Sequence, residues 1–418
     1  MIDEDIFRRV SARIESYCRE MIDLQIALTA VPAMAPENGG DGETAKAELL
    51  REHLARLQIQ NIETINAPDR RVSSGRRPNI IVRWPGDVES SLQTWVISHL
   101  DVVPPGEASL WYSDPYRAYV QDGRIYGRGV LDNQQDLVAS LYAFRACLDE
   151  GVRPFRSPGL IFVADEETAS TYGLAYLLEH PRNPFQKSDL ICVPDSGNER
   201  GDLIEVAEKS ILWVRFRTLG KQCHGSKPYL GKNAFLAASH LAVRLHAALP
   251  EQFPAVDPLF DPPESTFEPT RKDANVPNVN TIPGEDNFYM DCRILPEYDL
   301  EEVKAAMRRI AQQIEKERGV TIRIMPVQEV QAPAPTDSNA PIVTALQEAI
   351  GGVYGVQATP QGIGAGTVAA YLRRAGYPAA VWCRTTPMAH QPNEYCLIAD
   401  MLGNAKVFAH LFLQRPDM

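Results

Sequence analysis

The chain lacks the cysteine pairs of a disulfide scaffold. Its seven cysteines in 418 residues (Cys18, Cys147, Cys192, Cys223, Cys292, Cys383 and Cys396) are odd in number, scattered and without a CxxC spacing. That usage excludes a secreted disulfide framework and fits reduced cytoplasmic thiols. It also lacks a basic surplus, since Lys+Arg 42 stand against Asp+Glu 54 for a formal net charge of −12. Bulk charge of this sign excludes electrostatic binding to nucleic acid or an anionic membrane, and leaves small solutes and metal ions as natural partners. No uncharged apolar run approaches about eighteen residues, so no membrane span is expected. The N-terminal MIDEDIFRRVSARIESYCRE is charged throughout and has no apolar stretch of the signal-peptide kind. Internal repeats and low-complexity tracts are missing too. What is present, 44% apolar and 23% charged residues, suffices for packed cores. At about 150 residues per domain the length predicts two or three domains. The expectation is a soluble, cytoplasmic protein of more than one domain.

The order of periodicities predicts an α/β domain interrupted by a smaller one. Ala45, Leu49, Leu50, Leu54 and Leu57 recur at helical spacing, which predicts a helix over 43–58. Short runs follow at 79–84, 94–98, 159–164 and 189–193, rich in Ile, Val and Trp and without strict alternation. Such runs suit strands buried on both faces of a sheet covered by helices. Leu137, Leu141, Phe144 and Leu148 mark a helix that stops before Gly151. From about residue 208 the texture changes to strand (211–218), helix (233–248), strand (288–295), helix (299–318) and strand (320–325), the order of a small split-βαβ sandwich. The stretch 249–283 holds eight prolines and is expected to be irregular. After a Pro/Ala-rich linker from Gln331, the chain returns to α/β texture, with a helix at 342–350, an apolar run at 379–383 and a C-terminal helix. The domains are therefore expected at 1–209 and 331–418 for the α/β part and 210–330 for the insert.

The chemistry sits where the strands end. The run closing at Ser98 is followed by His99-Leu-Asp101, the one closing at Ala164 by Asp165-Glu-Glu167, and the one closing at Val193 by Pro194-Asp195. Ligands in open α/β sheets gather at the carboxyl ends of strands. A glycine-bounded turn delivers Asp132 to the start of a helix, and His390 and Glu394 follow a further apolar run. Two histidines and several carboxylates converging on one edge suit a borderline metal such as Zn²⁺. His99 and Asp101 are two apart and share a face, so the Asp101 carboxylate is expected to accept the second ring N–H of a metal-bound His99. By contrast, Gly362-Ile-Gly-Ala-Gly366 lacks the clear preceding strand, the third glycine at the required spacing and the downstream acid of a dinucleotide fingerprint.

Seven ordered segments, SHLDVVP, WYSDPYRAYVQDGRIYGRGVLDN, ADEE, PDSG, CHGSKPYLGKNA, NTIPG with DCRILP, and AHQPNEY, resemble the co-catalytic zinc metallopeptidases and amidohydrolases. That family includes acetylornithine deacetylase, succinyl-diaminopimelate desuccinylase, aminoacylase-1 and bacterial glutamate carboxypeptidase. The resemblance implies a mixed-sheet catalytic domain with an inserted α+β, ferredoxin-like lid that dimerises. It implies two Zn²⁺ per chain, with Co²⁺ or Mn²⁺ as substitutes: His99 and Asp195 on one, Glu167 and His390 on the other, and Asp132 bridging. Glu166 then resembles the general base. His224 resembles the histidine that stabilises the oxyanion across a homodimer, and Arg293 the arginine that grips a substrate carboxylate. Asn280, Gly366 and Thr367 match positions near the substrate.

The sequence departs from the family pattern in two places. Asn133-Gln-Gln-Asp136 stands where many members have an acidic residue, lysine and glycine, and Gly366-Thr-Val-Ala-Ala370 lacks the polar and basic residues of the two biosynthetic deacylases. Asp rather than Glu at 195 resembles the peptidase branches. The expected function is a dinuclear zinc hydrolase of a small peptide or N-acyl amino acid bearing a free carboxylate. The rival readings are a biosynthetic deacylase and a catalytically silent homologue.

Overall fold

The computed structural model describes residues 2–415. The chain forms two compact units. One runs to Val206 and takes in Thr336–Pro360 and the chain from Thr367 on; the other is Ala207–Pro335 with Gln361–Gly366.

An eight-stranded mixed sheet dominates the first unit. In spatial order its strands are Ile62–Pro68, Arg76–Arg83, Ser157–Val163, Gln93–His99, Leu190–Asn198, Ala379–Arg384, Leu203–Glu208 and Thr359–Ile363. The four from Ser157–Val163 to Ala379–Arg384 run parallel. Ser157–Val163 and Gln93–His99 are buried along all but their first residue, as continuous apolar runs under two helical layers require. Helices Gln134–Asp149 and Ile398–Leu413 pack together and are buried along most of their lengths. The strands Gln93–His99 and Leu190–Asn198 pair only as far as Val96 and Cys192. They part just before His99 and Asp195, and the crevice that opens between parallel strands is where such sheets place their sites.

The second unit has strand–helix–strand–strand–helix–strand order. Its antiparallel sheet runs Thr266–Lys272, Glu285–Ile294, Ser210–Leu219, Thr321–Val330, under helices Ala234–Gln252 and Leu300–Arg318. The second helix is specified at both ends. Asp299 accepts the Glu301 N–H at 2.8 Å, acids fill the first turn, Lys316 and Arg318 the last, and Gly319 closes it in the left-handed region at φ 64°. Phe216 and Phe288 stack with centroids 4.8 Å apart in a core that also holds Phe253 and Phe267.

The proline-rich stretch 249–283 is more regular than expected. The first helix continues through Pro250 to Gln252, and Thr266–Lys272 is a strand. That strand lies at the sheet edge with a register shift between Pro269 and Arg271, the position where a missing N–H costs no ladder bond. Among the described residues no helix is long and apolar enough to cross a membrane.

Candidate active site

Four parallel strands and one helix start deliver seven of the predicted side chains to one edge of the first unit. His99 ends its strand, Asp195 lies in the half of its strand that has parted from its neighbour, and Glu166 and Glu167 follow the strand ending at Val163. His390 comes six residues after Arg384, and Asp132 precedes the helix that begins at Gln134.

Among the described residues two groups of potential metal ligands form there, His99–Asp132–Asp195 and Asp132–Glu167–His390, with ligand atoms in each within 4.8 Å of one another. The His99 Nε2 lies 2.9 Å from Asp132 Oδ1 and 3.3 Å from Asp195 Oδ1. The His390 Nε2 lies 3.2 Å from Asp132 Oδ2 and 3.1 Å from Glu167 Oε2. Asp132 thus turns one oxygen toward each histidine. Glu167 Oε1 is buried with no hydrogen-bond partner, an oxygen left for a cation. Carboxylate oxygens and imidazole nitrogens in these numbers fit zinc and similar divalent ions.

The electrostatics agree with that donor set. Burial alone would lower the His99 pKa, but hydrogen bonds to Asp101, Asp132 and Asp195 outweigh it and hold the group well above the usual histidine value. Hydrogen bonds to Asp132 and Glu167 raise His390 to about 10. Burial opposes ionisation of Asp132, yet both histidines keep it well below the carboxylate range. A field that favours a proton on both imidazoles favours a divalent cation in the same place. Glu166 is pushed well above the usual range by burial and then by the charge of Asp195, with Glu167 and Asp101 adding to it. A carboxyl raised in this way binds a proton more firmly than an exposed one and is suited to proton transfer. Glu167 is raised to about 7 by burial and the Asp132 charge.

Asp101 meets the His99 ring with its main chain as well as with its carboxylate. The His99 Nδ1 lies 3.0 Å from the Asp101 main-chain carbonyl and 3.5 Å from its carboxylate. A carbonyl only accepts, so Nδ1 carries the proton and the Nε2 lone pair is left for a metal. The Asp101 carboxylate, at that longer distance from His99, also accepts the main-chain N–H groups of Glu166 at 3.0 Å and Glu167 at 2.9 Å.

Three supporting residues were given no role by the sequence alone. Asn133 fills the gap between the parted strands, its Nδ2 donating to Pro194 O at 2.5 Å and Asp195 Oδ1 at 3.2 Å while its Oδ1 accepts the His99 N–H. Glu394, fully buried, accepts from Arg128 at 2.6 Å and from the N–H groups of Gly129, Leu131 and Asp132. It thereby fixes the turn that presents Asp132. Its spacing of four from His390 was the available signal. Lys46 is buried near the charges of Asp101, Glu43 and Glu394, and burial pulls it down to about 8. A lysine inside a helix pattern gave no signal at all.

Four of the other predicted residues lie in the second unit. His224 pairs with Thr281 on a two-stranded ribbon, is exposed, and shares a 2.8 Å hydrogen bond with Ser226. Asn280 sits beside it, its carbonyl accepting the Gly225 N–H at 2.6 Å. Arg293 spends two donors on Asp291, at 2.7 and 3.0 Å, and another on Gly364 O at 2.6 Å, so its fork is already partly engaged. Gly366 has open space where a side chain would be. Thr367 belongs to the first unit, with its hydroxyl 3.4 Å from Glu205.

Residues 95–414 match the family model of peptidase family M20/M25/M40. The chain belongs to that family. It is 40% identical over 402 residues to an uncharacterized metallohydrolase of Methanocaldococcus jannaschii, covering 93% of this chain and 98% of that one. It is 29% identical over 218 residues to a succinyl-diaminopimelate desuccinylase of Rhodospirillum centenum, covering 52% of this chain and 55% of the relative. The fold matches aminopeptidase PepT from Bacillus cereus with a TM-score of 0.73 at 18% identity, over 94% of this chain and 98% of that one. The M20 protein is accordingly a metal-dependent hydrolase of amide or peptide bonds, as the motifs implied.

Proposed function

We propose that this M20 hydrolase uses two zinc ions per chain to cleave the amide bond of a small peptide or N-acyl amino acid next to a free carboxylate. The observation that carries the reading is the sharing of Asp132 between two ligand sets, 2.9 Å from His99 and 3.2 Å from His390, with Glu166 adjacent to Glu167 in sequence. His99 and Asp195 would hold one ion, Glu167 and His390 the other, and Asp132 both. Two ions so held supply a polarised carbonyl and an acidified water. Glu166 takes the proton of the attacking water and returns it to the leaving amine, a task for which its raised pKa suits it.

The second unit supplies the remaining roles in this reading. His224 is exposed and free to approach the oxyanion of a partner subunit's substrate, and Arg293 directs its remaining N–H donors to the substrate carboxylate. The helix Ala234–Gln252 exposes Phe235, Leu236 and Val243, an apolar face that suits a homodimer through this unit. Seven unpaired cysteines suit a cytoplasmic setting.

Turnover of a panel of dipeptides and of N-acetyl, N-succinyl and N-formyl amino acids by zinc-loaded protein tests the proposal. Hydrolysis of dipeptides supports the leading reading. Preference for an N-succinyl amino acid supports the deacylase reading that the desuccinylase relatives favour. No turnover of any of them refutes both. Mixing His224→Ala with Glu166→Ala protein should restore activity through hybrid dimers, and failure after verified subunit exchange excludes the trans role.

A further inference from the structure

The turn that carries Glu166 and Glu167 is held by three consecutive main-chain N–H groups, each given to a buried carboxylate from elsewhere in the chain. Asp101 accepts two of them. The third, that of Asp165, goes to Glu43 Oε1 at 3.3 Å. Asp165 stands in the left-handed region at φ 63°, a conformation a non-glycine residue keeps only where its surroundings impose it. Its own carboxylate is engaged by Thr168, by the Tyr172 N–H at 3.1 Å and by Arg77 at 3.3 Å.

Arg77 is the hub. Fully buried, it pairs through Nε and Nη2 with both oxygens of Glu43, which is equally buried, and reaches Asp69 at 3.4 Å as well as Asp165. Gly42, at φ 73°, leaves room for it, since a Cβ there would stand 3.1 Å from the Arg77 Cδ and Nε. Isolated burial of such a pair contributes little to stability. Its geometry does something more specific, because Glu43 accepts from the turn's main chain and Arg77 donates to the turn's Asp165 side chain. Glu43 and Arg77 both precede residue 95, where the family match begins.

We infer that the buried Glu43–Arg77 pair is a positioning device that sets the 165–167 turn, and with it the general base Glu166 and the metal ligand Glu167. The inference rests on the roles proposed above for those two residues. Removing Arg77 alone strands Glu43 without its cation and is expected to impair folding. The test is therefore the double variant Glu43→Met/Arg77→Met, which removes both charges and keeps side-chain volume, with Glu43→Gln as the milder companion. Cobalt(II) binding followed by visible absorption, thermal unfolding, and separate kcat and KM values are read on all three proteins.

The double variant should unfold below the wild-type temperature, because the buried Asp165 loses its cation, but its folded fraction should bind one cobalt ion as the wild type does. Its second, Glu167-dependent ion should bind about 10–100-fold more weakly, with a comparable fall in kcat and little change in KM, the scale expected for loss of an outer support. Glu43→Gln should shift the same quantities in the same direction by less. Folded variants with wild-type cobalt affinities and kcat overturn the inference. So does a loss of stability with unchanged second-ion affinity in the folded fraction, because the pair would then be structural only. If the double variant does not fold, Glu43→Gln decides on the same quantities. A wild type that binds fewer than two ions and turns over no substrate overturns the functional reading instead, so the two failures are distinguishable.

Discussion

The two units bury different things. The second hides an apolar core, Phe216, Phe288, Leu241, Val303 and Ile314 among others, and keeps nearly all its charged groups at the surface. The first buries Glu43, Lys46, Arg77, Asp101, Arg128, Asp136, Glu205, Arg373 and Glu394. A buried charge is costly unless paired and hydrogen-bonded, so a unit that hides this many is organised around where they point. In the first unit several of them point at the turns that carry Asp132, Glu166 and Glu167. The second unit shows what the same chain does when only packing is at stake.

The largest effect that sharpens this contrast is expected from Glu166→Gln. Loss of a general base should lower kcat by about 10²–10⁴-fold, with the metal content unchanged by elemental analysis. Loss of metal together with activity would make Glu166 a ligand rather than a base. Next comes Arg373→Met. Arg373 donates to Glu205 at 2.7 Å in a fully buried pair, and leaving the carboxylate behind should cost about 3–5 kcal/mol in denaturant unfolding. Phe216→Ala in the second unit should cost about the same, 3–5 kcal/mol, but by opening a cavity. Its folded fraction should keep the full metal content, and a loss of metal there would break the distinction between the units.

The smallest effect is a pH slope. Burial pushes the first unit's His410 down to about 4, below its ordinary value, so the unfolded chain takes up a proton first as pH falls. Its contribution to stability is fully present above about pH 6.5 and is lost between there and about pH 4. His410→Gln should flatten the stability profile in that window, measured by urea unfolding at each pH. An unchanged profile would place the acid sensitivity elsewhere.

The central strands were legible because burial on both faces leaves unbroken apolar runs: the readings at 94–98, 159–164 and 379–383 lie within the observed strands or overrun them by a residue. The strands Ile62–Pro68 and Leu203–Glu208 were missed, the first because its burial alternates with polar exposure at a sheet edge. Thr266–Lys272 was hidden by Pro269 and the proline-rich stretch around it, and a proline is tolerated in an edge strand but not in a central one. The candidate ligands were legible because strand ends are short, ordered and chemically distinct. Their supports were not, since Glu43 and Glu394 act by accepting main-chain N–H groups, and Arg77 by pairing with carboxylates, far away in sequence. Asp101 shows the limit within a single motif. A two-residue spacing placed it beside His99, but only the three-dimensional path revealed that its carbonyl serves the histidine and its carboxylate serves residues 166 and 167.

The most direct measurement is anomalous diffraction at the zinc edge from crystals of zinc-loaded protein. Two peaks are expected about 3.5–4 Å apart, one against His99 and Asp195, the other against Glu167 and His390, with Asp132 touching both. A single peak, or peaks that leave Asp132 unligated, would contradict the shared-carboxylate site on which the proposed function stands.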